Sequence, residues 1–573
     1  MAPASLSIVA LLVGAQIIYT SIRFLRNLRA AQRSGLPYTW SPVHELEAPA
    51  FITDGFLRWY YKDYLQQGKG WPRWARFMIK DWQYEDRGRA TREYGDCFLV
   101  VTFNSLMCYI SDPNAASRLV TRRKAFIKPP DKMKILEPFG PNVVSVEGDL
   151  WKFHLGITLP PLAAEAVARL VWEETARQVD MMVATWRPED SMKERIYALT
   201  MNTMSLAGFG HQAEWGEGDR PDRVPPGHEY SLVSALTHVV SHLPHILLLP
   251  RWVLRWSPWP VAYRAANELD QYIDEMLAEE REKLERGDAG EAYRENLLTA
   301  VLRSNIAAEK SKDAAAIGRT ALTHEEIKGN VFIFLVAGYD TTANTALFSS
   351  LVLALHKEVQ DRILQEIDAV YNRAQKAGRS ELSYTDDFPQ FRYLVAFMYE
   401  VMRVFPIVQT LGRVAVGEQE VPLSKGGHVV PDGSYLVVNN TAIHYNPDIW
   451  PSPDVIEPRR WLVADPHGLD PAKPLTPEQE AEIAAGSVPI PGNRRGTFLS
   501  FGEGPRACLG RSFARVEFVA IMSRMLRKHR LEMTDHDAEQ AARVLRTARL
   551  RSGSGPVTLI PPEDVPMRLA PRK

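Results

Sequence analysis

The chain has 573 residues, 45% of them hydrophobic, with 68 Lys and Arg against 69 Asp and Glu. That composition excludes a disordered or low-complexity chain, and the even charge leaves no basic field to hold nucleic acid. Its cysteines, Cys97, Cys108 and Cys508, are too few for a disulfide framework or a four-cysteine metal site, and they suit a reducing compartment.

No charged side chain lies between Ala2 and Ile22, and Arg23, Arg26, Arg29 and Arg33 follow with no acidic residue among them. Residues 2–22 as a helix reach about 31 Å, one hydrocarbon thickness. The basic flank keeps that end in the cytosol. A cleavable signal peptide would open on a basic segment, and Met1–Ser7 has none. The expectation is a transmembrane signal-anchor over 1–22 and a basic, Pro/Gly linker over 23–40, broken at Ser34-Gly35-Leu36-Pro37. One large domain, 41–573, then faces the cytosol.

CFLVVTF (97–103) and LMCYI (106–110) read as strands. Helical patterns dominate from about 150 to 405, with a charged Pro/Gly loop at Glu217–Gly227. His245–Pro260, HILLLPRWVLRWSPWP, has two readings: a core turn with exposed aromatics, or a second interfacial contact with a membrane. Asp465–Asn493 reads as an exposed insertion, and the end from Gly553 as strands and turns. The fold class is therefore mainly α with small β-sheets. Asn439-Asn440-Thr441 fits a glycosylation sequon, which a cytosolic domain makes a coincidence.

Three motifs carry chemistry. The first is FLSFGEGPRACLG, 498–510, whose glycines and proline predict a tight turn before Cys508. A helical run follows, so backbone N–H groups and the helix dipole favour thiolate at Cys508. Such a thiolate can ligate haem iron; a lone cysteine is otherwise an inert buried residue. The second is Ala337-Gly338-Tyr339-Asp340-Thr341-Thr342, within a helical stretch over Thr323–Leu355. Gly338 lets something flat approach, and Thr341 shares its face. The Thr341 hydroxyl can bond the carbonyl one turn back, and Asp340 adds an ionisable group, as a proton relay requires. The third is Glu400-Val401-Met402-Arg403, an i,i+3 pair on one helical face.

Phe501-Gly502-x-Gly-x-Arg506-x-Cys508-x-Gly resembles the haem-binding loop of the cytochrome P-450 family. The 337–342 segment resembles that family's oxygen-activation helix. Glu400 and Arg403 stand where the family has Glu-x-x-Arg, and Pro458-Arg459-Arg460-Trp461 resembles its aromatic-Arg segment. The resemblance runs from the anchor to the chain end in one order. It implies the cytochrome P-450 fold, a single haem-thiolate domain, with haem b on Cys508 as axial thiolate. It implies that Phe501, Gly502, Ala337 and Gly338 border the cofactor. It gives Arg506, Arg413 and the Trp151 N–H to the haem propionates, and joins Glu400, Arg403 and Arg460 in a buried network supporting the haem loop. The family's Trp-x-x-x-Arg helix reads Trp151…Leu155 here. That departure leaves one propionate contact open, with His154 or a nearby Lys as stand-ins.

The implied activity is insertion of one atom of O2 into a lipophilic substrate, with Thr341 and Asp340 delivering protons on the distal side. The apolar stretches 126–144, Phe405–Leu411 and the tryptophan-rich region are the expected lining. The style of these segments resembles fungal members of the family, many of which tailor terpenoids, polyketides or alkaloids. Implied partners are an NADPH–cytochrome P-450 reductase, cytochrome b5 as a further donor, and the endoplasmic reticulum membrane. Arg511, Arg515, Arg524 and Lys528 would form a basic docking patch. Two rivals keep the haem: an isomerase or dehydratase needing no reductase, and a non-catalytic haem carrier or sensor.

Overall fold

The computed structural model describes residues 2–45, 47–66, 69–187, 189–211, 224–286, 296–310, 320–424, 426–490, 494–534, 553–554, 558–561, 565 and 567–572. The first helix, Ala2–Ser34, does not stop at Ile22. It runs on through the arginines and ends at Gly35, whose φ of +71° a side chain would resist. Residues 23–34, expected as linker, are thus helical, and they dock on the domain. Phe24 meets Phe103 at 5.2 Å, Asn27 donates to the Thr102 carbonyl, and Ala31 is fully buried.

That docking partner is the predicted pair of strands. Cys97–Val101 and Leu106–Ile110 pair antiparallel, every residue buried. They sit inside a six-stranded sheet whose order is Tyr38–Trp40, Cys97–Val101, Leu106–Ile110, Tyr435–Asn439, Thr410–Ala415 and Phe126–Ile127. Strands from four parts of the chain meet there, so the sheet forms only as the domain closes. The sequon falls at its end: the Asn439 side chain accepts from the Ala442 N–H, and all three sequon residues are buried.

The helical body packs around His324–Leu355. Thr323 and Glu326 form a capping box at its start. This helix is long and apolar enough to cross a membrane, yet it is mostly buried in protein. A helix apolar all round is the mark of a core element. The insertion holds an exposed helix, Pro477–Ala485, and the chain end pairs Met567–Pro571 with His529–Met533. Residues 217–223 of the expected charged loop lie outside the described residues.

Candidate active site

Within the buried central helix, Phe334, Ala337, Gly338, Asp340 and Thr341 are the partly open positions of the middle turns. They form one stripe at helical spacing. The Thr341 hydroxyl donates to the Ala337 carbonyl at 2.7 Å, as the sequence predicts. A Cβ at Gly338 would lie 3.0 Å from Met204 Sδ, so the missing side chain makes room for Met204. Met204 opens a π-helical turn, Met204–Gly208, following the helix Met192–Thr203.

Asp340 is held by groups that no motif foretold. Tyr197 Oη donates to its Oδ1 at 3.1 Å, Asn344 Nδ2 to the same oxygen at 3.3 Å, and the Thr558 hydroxyl to Oδ2. Burial pushes its carboxyl above the ordinary aspartate value, and these three donors oppose that only in part. Tyr197 and Thr558 come from an earlier helix and the chain end, and neither sits in a recognisable pattern.

The cysteine loop has the predicted turn. Gly502 and Gly504 have φ of +65° and +70°, and Gly504–Arg506 makes a 3-10 turn. A Cβ on Gly504 would also press Thr121 Cγ2 at 2.9 Å. The Cys508 N–H donates to the Phe501 carbonyl at 2.7 Å, closing the loop. Glu503 ties it outward, accepting from the Ser117 hydroxyl and the Gly496 N–H. The sulfur precedes the helix Arg511–Leu526 and its side chain is exposed. Desolvation by the surrounding protein raises the thiol's pKa, and the Gly510 N–H and Arg511 do not fully offset it. Leu509, Phe334, Trp151 and Leu155 share one small apolar cluster, which brings the loop, the open stripe and the tryptophan helix Gly148–Ala163 together.

The third motif is a saturated carboxylate. Glu400 receives Arg403 through Nε at 3.0 Å and Nη2 at 2.8 Å, and Arg460 Nε at 3.1 Å. The Trp461 N–H at 3.0 Å and the Glu457 N–H at 2.9 Å complete it. Burial alone would raise the Glu400 pKa, yet the two guanidiniums bring it down to about 2. The network reaches the cysteine loop through Trp461, whose ring meets Phe498 edge-on at 4.9 Å, and through the Ser500 hydroxyl, which donates to the Met402 carbonyl. Arg494, absent from the sequence reading, faces Trp450 and Trp461 and donates to the Arg460 carbonyl.

Arg506 and Trp151 do meet: the guanidinium carbon is 4.2 Å from the ring centroid, and Arg123 approaches the same ring at 5.0 Å. Arg506 also pairs with Glu147 at 2.7 Å. Arg413 lies buried on Thr410–Ala415, donating to the Gly412 carbonyl. His154 is spoken for, and one stand-in for the arginine expected at 155 falls. Its Nδ1 lies 3.0 Å from Asn330 Nδ2 and its Nε2 3.6 Å from Glu326. Phe405 and Ile407 are buried, Phe405 stacking on Phe348 at 4.5 Å, and Val408 is half-buried. In the basic patch, Arg524 is matched by Asp180 and Glu381, which leaves it no free charge to offer.

The family model for cytochrome P-450 matches residues 77–547. The chain belongs to the cytochrome P-450 family. It is 34% identical to the cytochrome P-450 monooxygenase prx9 of Penicillium rubens, covering 97% of this chain and 96% of that one. It is 35% identical to the cytochrome P-450 monooxygenase ORF6 of Penicillium roqueforti over the same shares. A solved zebrafish cytochrome P-450 with progesterone matches at a TM-score of 0.61 and 19% identity, over 85% of this chain and 99% of that chain. The chain is thus a P-450 monooxygenase with haem b on an axial cysteine. The residues present fit that group. Haem b brings two carboxylates, and Lys128, Arg413 and Arg506 repel one another here with Glu147 as the carboxylate acting on all three.

Proposed function

We propose that this chain is a membrane-anchored monooxygenase of lipophilic, fungal-type secondary metabolites, fed by an NADPH-dependent reductase. Cys508 would hold the haem, which would supply the O2 and two-electron chemistry. Arg506, Arg413 and Trp151 would hold its periphery. Asp340 is the proton source and Thr341 presents its hydroxyl to the distal side. The observation that carries this is their placement: an acid kept toward its protonated form lies beside an alcohol on the open stripe of a buried helix. Tyr197, Asn344 and Thr558 are neutral donors, so they position Asp340 without neutralising it through an ion pair.

Exposed apolar side chains support the membrane reading. Leu11, Ile17, Ile18 and Ile22 stand out from the first helix. Trp252 and Trp256, 73% and 82% exposed, stand on Arg251–Trp256. Aromatic and basic residues together suit the headgroup layer of the endoplasmic reticulum, with the domain cytosolic. The half-buried Val408 and Leu411 suit an apolar substrate drawn from the bilayer. A relative in Leptosphaeria maculans, 23% identical, is named for a phomenoic acid biosynthesis cluster, which supports secondary metabolism. Arg511, Arg515 and Lys528 remain as the reductase-facing cations.

The test is the carbon monoxide difference spectrum of the reduced full chain in membranes, beside Cys508→Ala. A strongly red-shifted Soret band, lost in the variant, is the expected result. Product formation that requires both NADPH and reductase then separates the monooxygenase from a reductase-free isomerase.

A further inference from the structure

Leu155 places an apolar side chain where the family resemblance calls for a propionate-binding arginine. Leu155 packs beside Trp151, Val143, Val146 and Leu509 and carries no charge to the site. A different cation stands close by. Lys128 Nζ donates to the Val144 carbonyl at 2.9 Å. Arg506 donates to the Val143 and Val146 carbonyls at 3.2 and 2.7 Å, so amine and guanidinium grip the same turn. Glu147 joins them from the other side, accepting the Lys128 backbone N–H at 3.1 Å while pairing with Arg506 at 2.7 Å.

We propose that Lys128 binds a haem propionate and replaces the arginine that this chain lacks at position 155. The argument is electrostatic. Lys128, Arg413 and Arg506 face the one carboxylate of Glu147, with Arg123 adding its charge beside Arg506, so cations are in excess in a partly desolvated place. Like charges so gathered destabilise the protein unless anions join them. Burial first, and then repulsion by Arg506 and Arg413, lowers the Lys128 pKa to about 7. An anion beside it would restore the ammonium form, and the carboxylates of haem b have the sign that this excess of cations calls for. The inference rests on the haem-thiolate reading of Cys508.

The test uses the purified holoprotein and reads haem release to excess apomyoglobin. Lys128→Met should release haem on the order of tenfold faster, the loss of one charge-assisted contact. Lys128→Arg should hold it near the wild-type rate. The double variant Lys128→Met/Leu155→Arg should recover retention, which a purely structural lysine would not allow. Resonance Raman adds a readout independent of folding yield: the propionate-bending band should shift in Lys128→Met and return in the double variant. Wild-type release from Lys128→Met, or an unshifted band, overturns the proposal. A failed Cys508 reading is distinguishable, because the wild type itself would then lack the red-shifted carbon monoxide band.

Discussion

The Tyr197 hydroxyl lies 3.1 Å from Asp340 Oδ1 across two helices, and also 3.0 Å from Asn344 Oδ1. A carboxyl fixed this way has its orientation set by a residue with no chemistry of its own. Asp340→Asn should lower product turnover on the order of a hundredfold, the usual worth of a positioned proton donor. Tyr197→Phe should lower it less and raise peroxide released per NADPH consumed. An unchanged peroxide yield in both variants would remove Asp340 from proton delivery.

Glu400 is fully buried between Arg403 and Arg460, so its removal leaves two guanidiniums without their anion. Glu400→Gln should destabilise the domain by about 3–5 kcal/mol and reduce haem content in parallel. Thermal unfolding and the haem-to-protein absorbance ratio measure both. Full haem content in this variant would contradict its support of the cysteine loop.

Two buried glutamates predict opposite pH trends. The Glu400 pKa falls from its ordinary 4.5 to about 2, so its stabilisation is complete above 4.5 and disappears as pH falls toward 2. The stability difference between wild type and Glu400→Gln should shrink through that window. Glu517, on the helix after Cys508, is pushed up to about 8 by burial, with the Thr342 hydroxyl opposing. Its contribution is greatest below 4.5 and is lost as pH rises to about 8. Glu517→Gln should therefore gain stability over wild type as pH climbs from 4.5 to 8. Denaturant titrations at pH 5 and 8 decide the sign.

Gly329 and Gly338 lie on one helix and should tolerate alanine differently. A Cβ at Gly329 would lie 2.4 Å from the Gly140 and Pro141 carbonyl oxygens, which are backbone. A Cβ at Gly338 would meet only the flexible end of Met204, at 3.0 Å. Gly329→Ala should cost about 1–3 kcal/mol or more, and Gly338→Ala clearly less. Equal melting temperatures for the two variants would refute that ordering.

Local pattern determined much of this protein. The turn before Cys508, the Glu400–Arg403 pair and the Thr341–Ala337 hydrogen bond all lie within a few residues, where spacing dictates contact. The strands 97–101 and 106–110 were legible for the same reason. Contacts over long separations were not. Thr558 reaches Asp340 from 218 residues away, and Lys128 and Arg506 meet on one turn although far apart in sequence. Met204 occupies the face that Gly338 leaves open, and His154 turns to the central helix. Local spacing carries no record of which distant element arrives. Only packing decides that, and with it which charges are desolvated together and which pKa values move.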